Sequence, residues 1–172
     1  CGVLNGKIEP GNTVAIVGSG PIGLATLLTA QFYSPAKIIM IDMDDNRLEV
    51  AKKLGATHTI NNINTNVRDK ILEITNGIGV DTAIEAVGIP ATFNICEDII
   101  APGGTIANIG VHGVKVDFHL ERFIIYGKSQ RLFRKSFQGI EKDPCGNSYQ
   151  AFLFGSYFHR GCHGCLDRKS VV

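Results

Sequence analysis

Residues 13–23 read TVAIVGSGPIG. Val14 to Val17 form an uninterrupted apolar run, which suits a strand buried on both faces of a sheet rather than one with a wet side. The run ends directly on Gly18-Ser19-Gly20-Pro21-Ile22-Gly23, and an apolar, helix-forming stretch to about Tyr33 follows. The expected order is therefore strand, tight turn, helix. Three glycines at this spacing have separate tasks. Gly18 permits the turn, Gly20 lets the backbone approach a pyrophosphate because it has no Cβ, and Gly23 lets helix and strand pack closely. Pro21 suits the first helical turn, where no N–H is needed. The helix start offers free N–H groups and a positive dipole end to phosphates. Glycine-rich turns are common, so the motif draws its weight from the strand before it and the helix after it.

The second half of the fingerprint is Asp42. It closes the next apolar run, KIIMID (37–42), nineteen positions after Gly23. A carboxylate there can accept hydrogen bonds from the adenosine ribose hydroxyls and would repel a 2′-phosphate, which favours NAD over NADP. The competing reading is a solvated strand-end carboxylate. Arg47 follows on the next helix, in reach of the adenine ribose or simply as a solvated helix charge.

The pattern repeats beyond this unit. Helical spacing runs from about Asn46 to Leu54, THTI (57–60) reads as a short third strand, and 66–75 read as a helix. VDTAIEAVG (80–88) reads as a fourth strand and its exit turn, 90–100 as a helix stopped by Pro102-Gly103-Gly104, and TIANIG (105–110) as a fifth strand. LERFIIY (120–126) suits a sixth. Apolar strands alternating with helices predict an α/β fold, a Rossmann-type doubly wound parallel sheet incomplete at its C-terminal end. In such sheets ligands lie beyond the carboxyl edges of the strands. Val87 and Gly88 end strand four, and Val111 and His112 follow strand five. Small residues there leave room for a nicotinamide ring, with turn-making as the alternative for the glycines. His112 reads as a loop-edge histidine rather than an acid or base.

The chain has 172 residues and a formal net charge of +1, which gives no electrostatic case for nucleic acid or an anionic membrane. No apolar run is long enough to span a bilayer. Five cysteines, with no disulfide-type spacing, make a reducing cytoplasm the expected compartment. Cys1 and Cys96 read as small apolar fillers. The N-terminus shows neither a secretory signal nor an initiator Met, as expected of a fragment or a cut-out domain.

CGVLNGKIEPGNTVAIVGSGPIGLATLLTAQ, IDMDDNRLEVAKKLGATHTIN, GVDTAIEAVG and APGGTIANIGVHG together resemble the zinc-containing medium-chain alcohol dehydrogenases, over about residues 2–125. The resemblance implies that Gly18, Gly20, Pro21, Ile22 and Gly23 cradle pyrophosphate and that Asp42 and Arg47 bind the adenosine ribose. It places Val87, Val111 and His112 near the nicotinamide. It implies NAD-dependent hydride transfer on a small alcohol, aldehyde or ketone. A polyol or threonine dehydrogenase fragment and a non-catalytic NAD-binding module remain open. The family's zinc ligands lie in a domain before this segment, so no residue here is assigned to zinc or to catalysis. The chain alone is expected to be inactive.

The character changes near residue 127. The expected division is 1–126 as the NAD-binding domain and 127–172 as an irregular, disordered tail, rich in Arg, Lys, Ser and Gly. His159, Cys162, His163 and Cys165, with Cys145 upstream, have zinc-like residue types without a clean ligand spacing. A shifted reading frame explains more. Codon degeneracy allows Tyr126 to Arg131 to be re-read as MGKVN, 151–158 as HFSLDHI, and 161–171 as AATDALIVKV with a stop. Those strings resemble the family's usual C-terminal segment in the correct order. Loss of its last strand would disrupt the family homo-oligomer and leave an open sheet edge.

Overall fold

The computed structural model describes residues 2–119, together with the backbone of 138–142 and 148–152. A short helix, α1 (Gly2–Asn5), leads into β1 (Thr13–Val17), α2 (Pro21–Ala30), β2 (Lys37–Asp42), α3 (Asp45–Lys53) and β3 (His58–Asn61). Then come α4 (Val67–Ile74), β4 (Val80–Glu85), α5 (Pro90–Ile99) and β5 (Ile100–Asn108). The five strands form one parallel sheet in the order β3-β2-β1-β4-β5. This is the order of a doubly wound Rossmann-type sheet, with the chain reversing its direction of growth between β1 and β4.

The apolar run of β1 is explained by what covers it. Alternate side chains of a strand point to opposite faces. Val14 and Ile16 enter a core with Leu27 of α2 and Leu48 of α3. Ala15 and Val17 enter a second core with Ile71 of α4 and Phe93 and Ile99 of α5. Both faces are covered, so no polar alternation is needed.

The helices begin where their capping chemistry dictates. Asp44 accepts the N–H of Asn46 at the start of α3, and Lys52 and Lys53 lie in its last turn, as the helix dipole favours. Asn66 likewise caps α4 by accepting from Asp69 N. The 21–33 helix of the sequence reading ends as a 3-10 turn over Gln31–Tyr33.

Two expectations are corrected. Pro102-Gly103-Gly104 does not stop the fourth long helix. That helix ends at Ile99, and β5 begins at once at Ile100 with the three residues inside it. They coincide with a register irregularity against β4 between Val80 and Thr82, and Gly103 has φ +84°, a conformation that suits a bulge. Within 127–172, β6 (Gln138–Lys142) pairs antiparallel with β7 (Ser148–Phe152), where sequence periodicity alone showed no strand. Neither QGIEK nor SYQAF carries a continuous apolar run like that of β1, and pairing decides them. The expected strand at 120–126 and the His/Cys group of the tail lie outside the described residues. No helix among the described residues is long and apolar enough to cross a membrane.

Candidate cofactor crevice

The carboxyl ends of β1, β2 and β4 meet in one crevice. Register aligns Val17 with Ile41 on one side and with Glu85 on the other. Beyond these residues lies a cavity of about 270 Å³ lined by Gly18, Asp42, Arg47, Asn62, Val87 and Thr92, among others. Four residues expected at the site, Gly18, Asp42, Arg47 and Val87, are therefore brought together.

The three glycines of the turn are required for different reasons. Gly18 has φ +106°, and a Cβ there would lie 2.6 Å from Val87 Cγ2. Its N–H donates to Ile41 O at 2.7 Å, which ties the turn to β2. At Gly23 a Cβ would lie 1.8 Å from Gly18 O, so helix and turn are in backbone contact. Gly20 differs from both. Its φ of −73° and ψ of −176° are open to any residue, and a Cβ there would meet nothing within 4 Å. Neither backbone strain nor packing among the described residues calls for glycine at 20. The close approach of a phosphate would call for it. No side chain caps α2, and Pro21 occupies its first turn, so the helix start presents main-chain donors outward. Ile22, on that turn, is exposed.

Asp42 is not a solvated strand end. It is buried, Oδ2 accepts Ser19 N at 2.6 Å, and Oδ1 accepts Asp44 N at 3.0 Å. The carboxylate thus clamps the glycine turn to the exit of β2. This structural duty was not foreseen from sequence. Each carboxylate oxygen has a second acceptor site, so capacity for a ribose hydroxyl remains. Arg47 is exposed on α3, its Nε 3.7 Å from Asp44 Oδ2, a surface pair that leaves the guanidinium available at the cavity wall. Asn62, just past β3, was missed. Its Oδ1 is buried without a hydrogen-bond partner among the described residues, as is Ser19 Oγ. Its only sequence signal was its place at a strand's carboxyl end.

On the far side, Val87 is partly exposed, and Gly88 has φ +91°. A Cβ on Gly88 would sit 2.4 Å from Val111 O, so the loops after β4 and β5 touch at the backbone. Val111 has 87% exposure. The His112 side chain, in the loop after β5, is turned in and is only 2% exposed. Its Nε2 lies 3.1 Å from Asn108 Oδ1 and 3.4 Å from Glu85 Oε2, and Phe93 packs edge-on against the ring. Among the described residues no group of three or more His, Cys, Asp or Glu side chains is placed to hold a metal.

Strand order, glycine turn and crevice define a Rossmann-type domain of the dehydrogenase kind. The chain belongs to the zinc-binding dehydrogenase family, whose model matches residues 21–142. It is 40% identical over 122 residues to an alcohol dehydrogenase of Cupriavidus necator, covering 71% of this chain and 33% of that protein. The zinc-dependent alcohol dehydrogenase 2 of Streptococcus pneumoniae, in its apo form, superposes with a TM-score of 0.68 at 62% identity, covering 70% of this chain and 35% of that one. A zinc-binding dehydrogenase of Sinorhizobium meliloti 1021 bound to NADP gives a TM-score of 0.66 at 29% identity, covering 72% and 38%. The chain thus spans about a third of the length of these relatives.

Proposed function

We propose that residues 1–126 are the NAD-binding half of an alcohol dehydrogenase that moves a hydride between a small alcohol and NAD in the reducing cytoplasm. The observation that carries this reading is Gly20, a glycine that the described residues themselves do not need, next in the chain to Ser19, whose N–H donates to the Asp42 carboxylate at the crevice wall. Gly18, Gly20 and the first turn of α2 would hold the diphosphate. Asp42 and Arg47 would hold the adenosine ribose, with the Asp42 charge disfavouring a 2′-phosphate. Val87, Gly88, Val111 and His112 would border the nicotinamide. NAD, when bound, supplies the hydride acceptor, and the chain's residues orient it and screen one side from water. The described residues offer no metal cluster, so no zinc step is assigned to them. The alcohol and the polarising zinc are proposed to meet the ring from the remaining two-thirds of the family architecture.

Calorimetric titration of the 172-residue chain with NADH, NADPH and ADP-ribose tests this. Saturable binding of NADH and ADP-ribose with weaker NADPH is expected. Absence of NADH binding sinks the reading, and tighter NADPH binding reverses the cofactor assignment. For residues 127–172 we propose the shifted reading frame, with loss of the family homo-oligomer. The coding DNA decides it, since the +1 frame after about codon 125 must then encode a family-like segment.

A further inference from the structure

Glu85 has no role in the reading above, yet it sits where the two nicotinamide-side loops leave the sheet. Its side chain is fully buried at the last position of β4. A carboxylate so placed is costly unless its oxygens are paired. Oε1 accepts three hydrogen bonds, from Val87 N at 2.9 Å, Gly88 N at 2.9 Å and Thr92 Oγ1 at 2.7 Å. These fold the 86–88 turn over the carboxylate and tie it to α5. The main-chain oxygen of Glu85 accepts from Ile109 N at 2.9 Å and Gly110 N at 3.1 Å, which holds the start of the second loop. Oε2 faces His112 Nε2 at 3.4 Å, and a Cβ on Gly110 would lie 2.3 Å from it. Oε2 has no hydrogen-bond partner among the described residues and meets the second loop by proximity.

We infer that Glu85 is the positioning residue for the nicotinamide end of the cofactor, locking the loops after β4 and β5 into one wall. This rests on the NAD reading. The pairing of β4 needs only the main chain of residue 85, whereas its carboxylate gives one oxygen wholly to loop and helix donors. Glu85 acts through Val87, Gly88 and His112 and needs no contact with the ring.

Glu85→Gln is close to isosteric. It can keep an acceptor toward the 86–88 turn, but it removes the charge and sets an NH2 group against His112. ADP-ribose carries the diphosphate and adenosine but no nicotinamide, so it reports on the Gly18–Gly23 and Asp42 side alone. For the 172-residue chain measured by calorimetry, Glu85→Gln is expected to weaken NADH about tenfold, the scale of one charge-assisted hydrogen bond, while ADP-ribose affinity stays within about twofold. Retained ADP-ribose binding also shows that the variant is folded. Should Glu85→Gln fail to fold, Glu85→Asp, which draws the carboxylate back from the Val87 and Gly88 donors, must give the same split. Equal weakening of both ligands, or no weakening of either, overturns the inference. If the unaltered chain binds neither ligand, the NAD reading itself falls and takes this inference with it.

Discussion

Replacing Gly20 and Gly23 separately with alanine should divide the glycine turn into a ligand-facing half and a fold-facing half. At Gly23 the new Cβ would lie 1.8 Å from Gly18 O and 2.9 Å from Gly18 C, both backbone atoms. Ordinary contact begins at 3.4 Å. Turn and helix must therefore part by roughly 1.6 Å, in a close-packed region that cannot absorb it. Overpacking of this kind costs about 3 kcal/mol, or a Tm lower by about 10 °C or more for a domain this size. At Gly20 the Cβ meets nothing within 4 Å, and φ −73° suits alanine. Alanine is the poorer N-cap but loses less chain entropy on folding, so the net change stays within about 1 kcal/mol. The same methyl would stand in the proposed approach of the diphosphate. Losing one backbone donor to a charged phosphate costs about 1.5–3 kcal/mol, or roughly 10- to 100-fold in Kd. Thermal melts and NADH titrations on both variants read the two quantities. The reasoning is refuted if Gly20→Ala binds NADH like the unaltered chain, or if it melts as low as Gly23→Ala.

Two further outcomes follow from buried groups. Asp42→Asn sets an amide NH2 against either Ser19 N–H or Asp44 N–H and removes the charge, so stability should fall by about 1–3 kcal/mol. The NADH-over-NADPH preference should shrink with it, and an unchanged Kd ratio would show that Asp42 only clamps the turn. Burial, and then the nearby Glu85 and Glu97 carboxylates, push the Cys96 thiol well above its ordinary value of 9.0. The folded chain therefore keeps this proton where the unfolded chain loses it. Cys96 contributes stability fully below pH 9.0, and that contribution declines above it with a slope of at most about 1.4 kcal/mol per pH unit. Denaturant titrations at pH 8 to 10 should show a shallower decline for Cys96→Ala, and native Cys96 should resist a thiol reagent until unfolding.

Much of the architecture was legible because its signals are local. An apolar run ending on glycine, a proline in a helix's first turn, and a carboxylate closing the second strand each follow from chemistry within a few residues. These were enough for the parallel sheet and the order of elements from β1 to β5, though not for the short helix α1 before them. The sequence also set which glycines could matter, but not which of them the fold itself consumes.

Only the tertiary structure separated Gly20 from Gly18 and Gly23, because that distinction depends on what surrounds an absent Cβ. It showed Asp42 clamping the glycine turn with two hydrogen bonds and the His112 side chain turned in against Asn108 and Glu85. It exposed Glu85, whose donors lie in the turn after β4 and in α5, and Asn62, whose Oδ1 is buried without a partner among the described residues; neither leaves a periodic trace. It also placed Pro102-Gly103-Gly104 inside β5, between the pairs that Ile100 and Thr105 make with Val80 and Thr82 of β4, where the register shifts. Local sequence encodes conformation. The electrostatic and packing duties of a side chain are fixed by what the fold brings beside it.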